Sequence, residues 1–179
     1  MKGKLLFSET QHFKNTIFWW IEVGVGLITL GGLAYGISIN LSPGEDWVNT
    51  PLGNPTNIIA ATITAIVLGG VHWLFTTMKL IVEIDSENLY YSYYPFVRSK
   101  KQLRKNDLKQ VEVRKYNPIL EYGGWGYRIS ARNGKAYNMK GSYGLQLVFN
   151  NGDRLLIGTQ KPEELKRAID QLKDNWNQH

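Results

Sequence analysis

The segment IIAATITAIVLGGVHWLFTTM, Ile58 to Met78, decides the fold of this chain, and it runs almost directly into LIVEID, Leu80 to Asp85. The hydrocarbon core of a bilayer is about 30 Å thick, and a helix needs about twenty residues to cross it. The first segment is that long, with His72 as its only ionisable side chain, whereas the second has the Val and Ile content of a strand. The sequence therefore predicts that membrane structure ends, and a domain able to fold in water begins, near Lys79.

A second apolar segment precedes the first along the chain. It runs from Ile17 to Ile39, carries Glu22 as its single charge, and is also long enough to span. A cleaved signal peptide is the alternative, but the run is too long and no A-x-A-like site follows it. We therefore predict a two-helix transmembrane hairpin over residues 17–79, with spans at 17–39 and 58–78.

The charges flanking these segments predict their orientation. The connection at residues 40–57 has the composition of a loop and no basic side chain, while Lys14 and Lys79 flank the outer ends of the two spans. The positive-inside bias then places the loop outside and both termini in the cytoplasm. Residues 1–16 become a cytoplasmic lead-in, for which a short interfacial helix and a solvated segment are both open predictions.

Charge is divided unequally between the two parts of the chain. Residues 1–78 hold three lysines and four acids, a net charge of −1, whereas the remaining 18 basic and 11 acidic residues give +7. A basic domain beside an apolar anchor suits anionic membrane lipid as well as nucleic acid, and the anchor makes nucleic acid an unexpected partner. The chain has no cysteine, which excludes disulfides, thiolate metal sites and cysteine nucleophiles.

The residues after Lys79 predict an α+β domain. Eight short segments rich in Val, Ile, Tyr, Phe and Leu predict seven or eight antiparallel strands, and the turns RNGK (132–135) and NNGD (150–153) predict hairpins. The segment from Lys161 to Trp176 has an apolar stripe at three- and four-residue steps, with Pro162 in its first turn. We predict an antiparallel β-roll over residues 80–179, with this helix packed on its open end.

Three segments carry a resemblance to a known family: YGGWGYR (122–128), AYNMKG (136–141) and LLIGTQKPEEL (155–165). With the order of strands followed by a helix, they resemble the pleckstrin-homology-like domains of small bacterial membrane proteins. The start of the chain, FSETQHFKNTIFWW (7–20), is similar to that of uncharacterised two-span proteins carrying such a domain. The resemblance implies a pleckstrin-homology-like cytoplasmic domain on the bacterial inner membrane, and it assigns no biochemical role or catalytic residue.

The basic segment, residues 98–115, is the first candidate site. Tethered beside a bilayer, its cations could contact anionic headgroups or a protein partner, and the alternative is a solvated strand edge guarded by lysine. The candidate residues are Arg98, Lys100, Lys101, Arg104, Lys105 and Lys109.

Trp125 and Arg128 form a second candidate, a partner surface. The structural interpretation is favoured, in which the glycines around Trp125 allow a bend between strands and its indole covers the mouth of the roll.

The third candidate is an intramembrane pair. On the second span Ala61, Ala65, Gly69 and His72 share one helix face, and Gly32 and Gly36 on the first span are predicted to form the matching groove. An antiparallel hairpin then sets Glu22 opposite His72 at similar depth. A carboxylate without a partner inside the membrane is costly in free energy, so we predict that Glu22 and His72 are hydrogen-bonded. We favour a structural clasp over a proton relay as the role of this pair.

No motif in the sequence indicates an enzyme. No phosphate-binding loop is present, the three histidines are dispersed, and no Ser-His-Asp set can be argued, so neither a cofactor nor a metal is expected. The sequence favours a non-enzymatic membrane-anchored interaction module that binds a protein partner, a lipid surface or another copy of itself. The alternative is a small transport-related or accessory membrane subunit that acts through its helices.

Overall fold

The two apolar segments form helices in the structure, a computed structural model that describes residues 3–14, 16–40 and 55–178. Helix α1 spans Ile17–Asn40 and helix α2 spans Pro55–Thr77, and both are long and apolar enough to cross a membrane. Neither apolar stretch is buried within the chain. The connection predicted to be extracytoplasmic lies almost wholly outside the described residues.

Three threonine hydroxyls within the helices donate to backbone carbonyls four residues earlier. The hydroxyl of Thr29 donates to the carbonyl of Val25 at 2.8 Å, and Thr62 and Thr64 donate to carbonyls four residues earlier. Each of these three hydroxyl groups therefore has an acceptor for its hydrogen, which suits an apolar environment. Helix α1 begins after Thr16, whose Oγ1 accepts a hydrogen bond from the backbone N–H of Trp19 at 3.3 Å.

The helices belong to one compact unit, residues 14–76, and a second unit comprises Met1–Phe13 with Thr77–His179. The second unit holds two sheets, ordered β1-β2-β3-β4 and β5-β8-β9-β7-β6, and two helices. Its elements are β1 (Leu5–His12), β2 (Lys79–Asp85), β3 (Leu89–Tyr94), β4 (Val97–Leu103), β5 (Leu108–Lys115), α3 (Pro118–Tyr122), β6 (Gly126–Ser130), β7 (Gly134–Asn138), β8 (Tyr143–Phe149), β9 (Arg154–Thr159) and α4 (Pro162–Gln178).

The N-terminal lead-in differs from both predictions made for it. Residues Leu5–His12 are neither an interfacial helix nor a solvated segment: they form strand β1, which pairs with β2 and extends the first sheet. The strand was hidden in the sequence because Glu9 and Gln11 occupy inward positions and are 5% and 3% exposed. Alternation between apolar and polar residues, the usual signal of a strand, is therefore missing.

The second sheet confirms both predicted hairpins and adds one unpredicted pairing. The turns hold Gly134 and Gly152 at φ of 77° and 88°, where glycine is favoured. All pairings in both sheets are antiparallel except that β7 runs parallel to β9, so the β6–β7 hairpin joins the sheet beside β9. The predicted helix is also confirmed: α4 packs against β1, β2 and β5, and its buried residues are Leu165, Ala168, Ile169 and Leu172.

Candidate functional site

The structure brings the predicted intramembrane pair together. Glu22 Oε2 lies 2.9 Å from His72 Nδ1, and the Glu22 side chain is 10% exposed against 48% for His72. The indole of Trp19 lies against the imidazole, with ring centroids 6.2 Å apart. The Glu22 carboxylate is thus largely buried and has an imidazole partner within hydrogen-bond distance, as predicted for the pair.

The pair lies in a cleft of about 500 Å³ between α1 and α2. As predicted, Ala61, Ala65 and Gly69 line it with His72. The opposite wall is formed by Gly26, Thr29, Leu30 and Leu33 of α1.

The glycine groove predicted on α1 is wrong at Gly32. A Cβ added to Gly32 would meet nothing within 4 Å, and the same holds for Gly69, so the helices do not approach closely through these glycines. The reason is helical geometry: Gly32 is ten residues beyond Glu22, about 80° away around the helix from the face on which Glu22 lies. The surroundings of Gly36 fall outside the described residues.

The basic segment lies on two strands and the connection between them. Strand β4 is the edge of the first sheet and carries Arg98, Lys100 and Lys101, whereas Lys109 lies on β5, an edge of the second sheet. Lys100 Nζ is 2.5 Å from Glu83 Oε2, and Lys105 donates to the carbonyl of Trp176 at the end of α4. Among the described residues, Lys100 is the only one of the six candidate cations that lies within 4.0 Å of a carboxylate.

Trp125 and Arg128 are linked through the backbone. The indole Nε1 of Trp125 donates to the carbonyl of Gly141 at 2.9 Å, and Arg128 Nε donates to the carbonyl of Trp125 at 2.9 Å. Trp125 lines a shallow depression beside α3 with Pro118 and Ile119. Both side chains therefore hold the turn that enters β6.

One group of exposed residues was missed by sequence reasoning. Cross-strand register aligns His12, Lys79 and Tyr94 at one end of the first sheet, and Arg98 reaches the same tyrosine from β4. Only Arg98 of this group was a candidate. Recognition of β1 as a strand would have revealed this group, because the register of β1 against β2 places His12 opposite Lys79.

Buried tyrosine hydroxyls line the interior of the β unit. Burial raises the pKa of Tyr93, and it raises those of Tyr116 and Tyr137 to about 12. These hydroxyls therefore stay protonated near neutral pH. Tyr116 Oη accepts a hydrogen bond from Asn138 Nδ2 at 2.8 Å, which gives it a structural role.

Comparison with known proteins assigns no family to the chain. No protein-family model matches it, no curated protein matches its sequence, and no solved structure matches its fold.

Proposed function

We propose that this protein is a non-enzymatic, membrane-anchored interaction module whose β unit contacts the anionic surface of the bilayer that holds its helices. The helices would span the bacterial inner membrane with both termini in the cytoplasm. The observation that carries the proposal is the exposure of five cations of the basic segment without a carboxylate within 4.0 Å among the described residues: Arg98, Lys101, Arg104, Lys105 and Lys109. Tethered cations of this kind each contribute about 1 kcal/mol near anionic headgroups.

The topology of the β unit supports a pleckstrin-homology-like identity for it. With α1, α2, the short helix α3 and the β6–β7 hairpin set aside, the chain forms four strands of one sheet, then β5, β8 and β9 of the other, then α4. Seven strands followed by a helix is the order that the resemblance implies.

The test uses the full chain in lipid nanodiscs. Because the chain has no cysteine, Ser99→Cys in exposed β4 gives a single site for a fluorophore, and Asp170→Cys on exposed α4 gives a matched control. We expect headgroup-nitroxide lipids to quench the Ser99 probe more strongly in phosphatidylglycerol-containing discs than in phosphatidylcholine discs, with the difference shrinking at high salt. Equal quenching of the Ser99 probe in the two lipids would refute the proposal.

The hydrogen-bonded pair of Glu22 and His72 supports a second candidate, a small transport-related or accessory subunit that acts through its helices. An acid–imidazole pair at one end of an apolar cleft is where such a function would lie. Proton permeability, measured with a pH-sensitive dye inside proteoliposomes, distinguishes a structural role of the pair from a helix-based function. A structural clasp predicts the same proton permeability for the wild type and for Glu22→Gln, whereas a helix-based function in proton movement predicts that the substitution changes it.

A further inference from the structure

One end of the first sheet concentrates positive charge around a single aromatic ring. On its outer face, antiparallel register places His12 opposite Lys79, and Lys79 opposite Tyr94. Lys79 Nζ lies 5.8 Å from the centre of the Tyr94 ring, and Arg98 Cζ lies 5.8 Å from the same centre. Two cations therefore share one tyrosine, each within the range of a cation–π contact.

These two charges are not compensated by nearby acids. Within the part of the chain that the structure describes, neither Lys79 nor Arg98 has a carboxylate within 4.0 Å. Along β2 the nearest acid to Lys79 is Glu83, four residues or about 13 Å away, and it is already paired with Lys100. Both cations lie near one ring, so an anion beside that ring is attracted by both charges.

Chain connectivity links this end of the sheet to the helices. Strand β2 begins at Lys79, two residues after α2 ends at Thr77, and β1 ends at His12, five residues before α1 begins at Ile17. The Cα of Lys79 therefore lies within about 7 Å of the last residue of α2. If the helices span a membrane, Lys79 lies at the depth of the lipid headgroups.

An exposed aromatic side chain lies in the turn that follows Tyr94. Phe96 is 52% exposed, and its ring stands 6.0 Å from that of Tyr93 and 5.7 Å from that of Tyr127. Packing on these two rings holds Phe96 in place although half of it faces outward. Aromatic rings are enriched where a protein meets the interface between membrane and water.

We propose that Lys79 and Arg98, which both lie near the Tyr94 ring, bind the phosphate of an anionic phospholipid, and that Phe96 inserts beside it at the membrane interface. The proposal rests on the membrane anchoring proposed above, and it names the residues through which the β unit contacts lipid. Of the basic segment, only Arg98 belongs to this phosphate site.

The experiment places a fluorophore at Thr10→Cys, an exposed position that pairs with Ile81, two residues along β2 from Lys79. The full chain is reconstituted in nanodiscs containing either nitroxide-labelled phosphatidylglycerol or nitroxide-labelled phosphatidylcholine. We expect preferential quenching by phosphatidylglycerol, with the relative association of that lipid falling about fivefold for each charge removed by Lys79→Gln and Arg98→Gln. Lys79→Arg with Arg98→Lys keeps both charges and should keep the preference.

The matched control is Lys166→Gln with Arg167→Gln, which removes two exposed cations from α4. The proposal would be overturned if the variant lacking both Lys79 and Arg98 kept the preference for phosphatidylglycerol, or if the control lost it equally. Loss of the wild-type preference on adding inorganic phosphate would show that the site takes free phosphate instead. A phosphatidylglycerol effect at Ser99 without one at Thr10 would refute this site alone. Absence of the effect at both probes would refute the proposed function as well.

Discussion

The buried amide of Asn138 joins three strands of the second sheet through one fully buried side chain. Its Oδ1 accepts from the backbone N–H of Gly126 at 2.8 Å, and its Nδ2 donates to Tyr116 Oη at 2.8 Å. On β9, a Cβ added to Gly158 would lie 2.8 Å from the Asn138 Cβ, so no larger residue fits there. The Asn138 amide thus connects β6 to the residue that follows β5, and its side chain packs directly against Gly158 of β9.

We predict that Asn138→Leu lowers the free energy of unfolding by about 2 to 6 kcal/mol. The substitution removes both hydrogen bonds and leaves a buried N–H and a buried hydroxyl without their partner, each costing about 1 to 3 kcal/mol. Denaturant unfolding of the full chain, followed by near-ultraviolet circular dichroism of the tyrosines, measures the change. Asn177→Leu, at an exposed position on α4, should change it little, and equal effects of the two substitutions would contradict this role for Asn138.

At the scale of elements, strand β1 is held to the second sheet by polar contacts across the interior. Glu9 accepts from the Thr159 hydroxyl at 2.6 Å and from the backbone N–H of Gln160 at 2.9 Å. Gln11 Nε2 donates to the Gly158 carbonyl at 2.7 Å. These contacts link β1 to the strand end that precedes α4.

Strand β1 should therefore be required for a stable β unit. We expect residues 77–179 alone to unfold at lower temperature and denaturant concentration than the same residues preceded by residues 1–13 through a short Gly-Ser linker, because the shorter fragment leaves the edge of β2 and Gln160 unpaired. Thermal unfolding by far-ultraviolet circular dichroism compares the two. Equal stability of the two fragments would show that β1 contributes nothing to the fold.

An ion pair between β5 and α3 predicts a dependence on pH. Arg114 Nη2 lies 2.7 Å from Glu121 Oε2, and the hydrogen bond from Arg114 is the main reason that the pKa of Glu121 falls below its ordinary value of 4.5. Because the folded state favours the ionised Glu121 carboxylate, this group stabilises the protein above pH 4.5. That stabilisation is lost as the pH falls through the pKa of Glu121 in the folded state.

We predict that Glu121→Gln is less stable than the wild type at pH 7 and that the difference shrinks as the pH is lowered through this range. Denaturant midpoints measured between pH 7 and pH 3 check the trend. Glu163→Gln, at an exposed position on α4, is the control and should give a smaller difference at pH 7. A Glu121→Gln difference that stayed constant with pH would contradict the ion pair as its cause.

At the scale of the whole molecule, the β unit encloses several tyrosines between its sheets. The Tyr137 ring stacks on Tyr127 with centroids 5.2 Å apart and lies 5.0 Å from Tyr93. Burial raises the pKa of Tyr137 to about 12 from 10.0. Because the neutral hydroxyl is favoured in the folded state, its contribution to stability is complete below pH 10.0 and is lost as the pH rises towards 12.

We expect the wild type to lose stability across that alkaline range and Tyr137→Phe to lose less, since phenylalanine has no proton to release. Absorbance at the tyrosinate wavelength and the denaturant midpoint are measured together as the pH rises. Tyr143→Phe, at an exposed position on β8, is the matched control and should follow the wild type. Identical alkaline profiles for wild type and Tyr137→Phe would count against this account.

The sequence by itself determined the features that depend on neighbours along the chain. Helix period and composition predicted α1, α2 and α4, and the Asn-Gly turns predicted two hairpins. Helical geometry in an antiparallel hairpin also predicted that Glu22 would face His72, since both positions follow from counting turns.

Only the tertiary structure decided the features that depend on distant partners. Glu9 is buried in a strand because Thr159 and Gln160, about 150 residues away, supply its hydrogen bonds, and no local pattern shows this. The parallel pairing of β7 with β9 likewise joins segments that the hairpin signals leave independent. The sharing of Tyr94 by Lys79 and Arg98 follows from strand register, and register is set by which side chains the whole unit can bury.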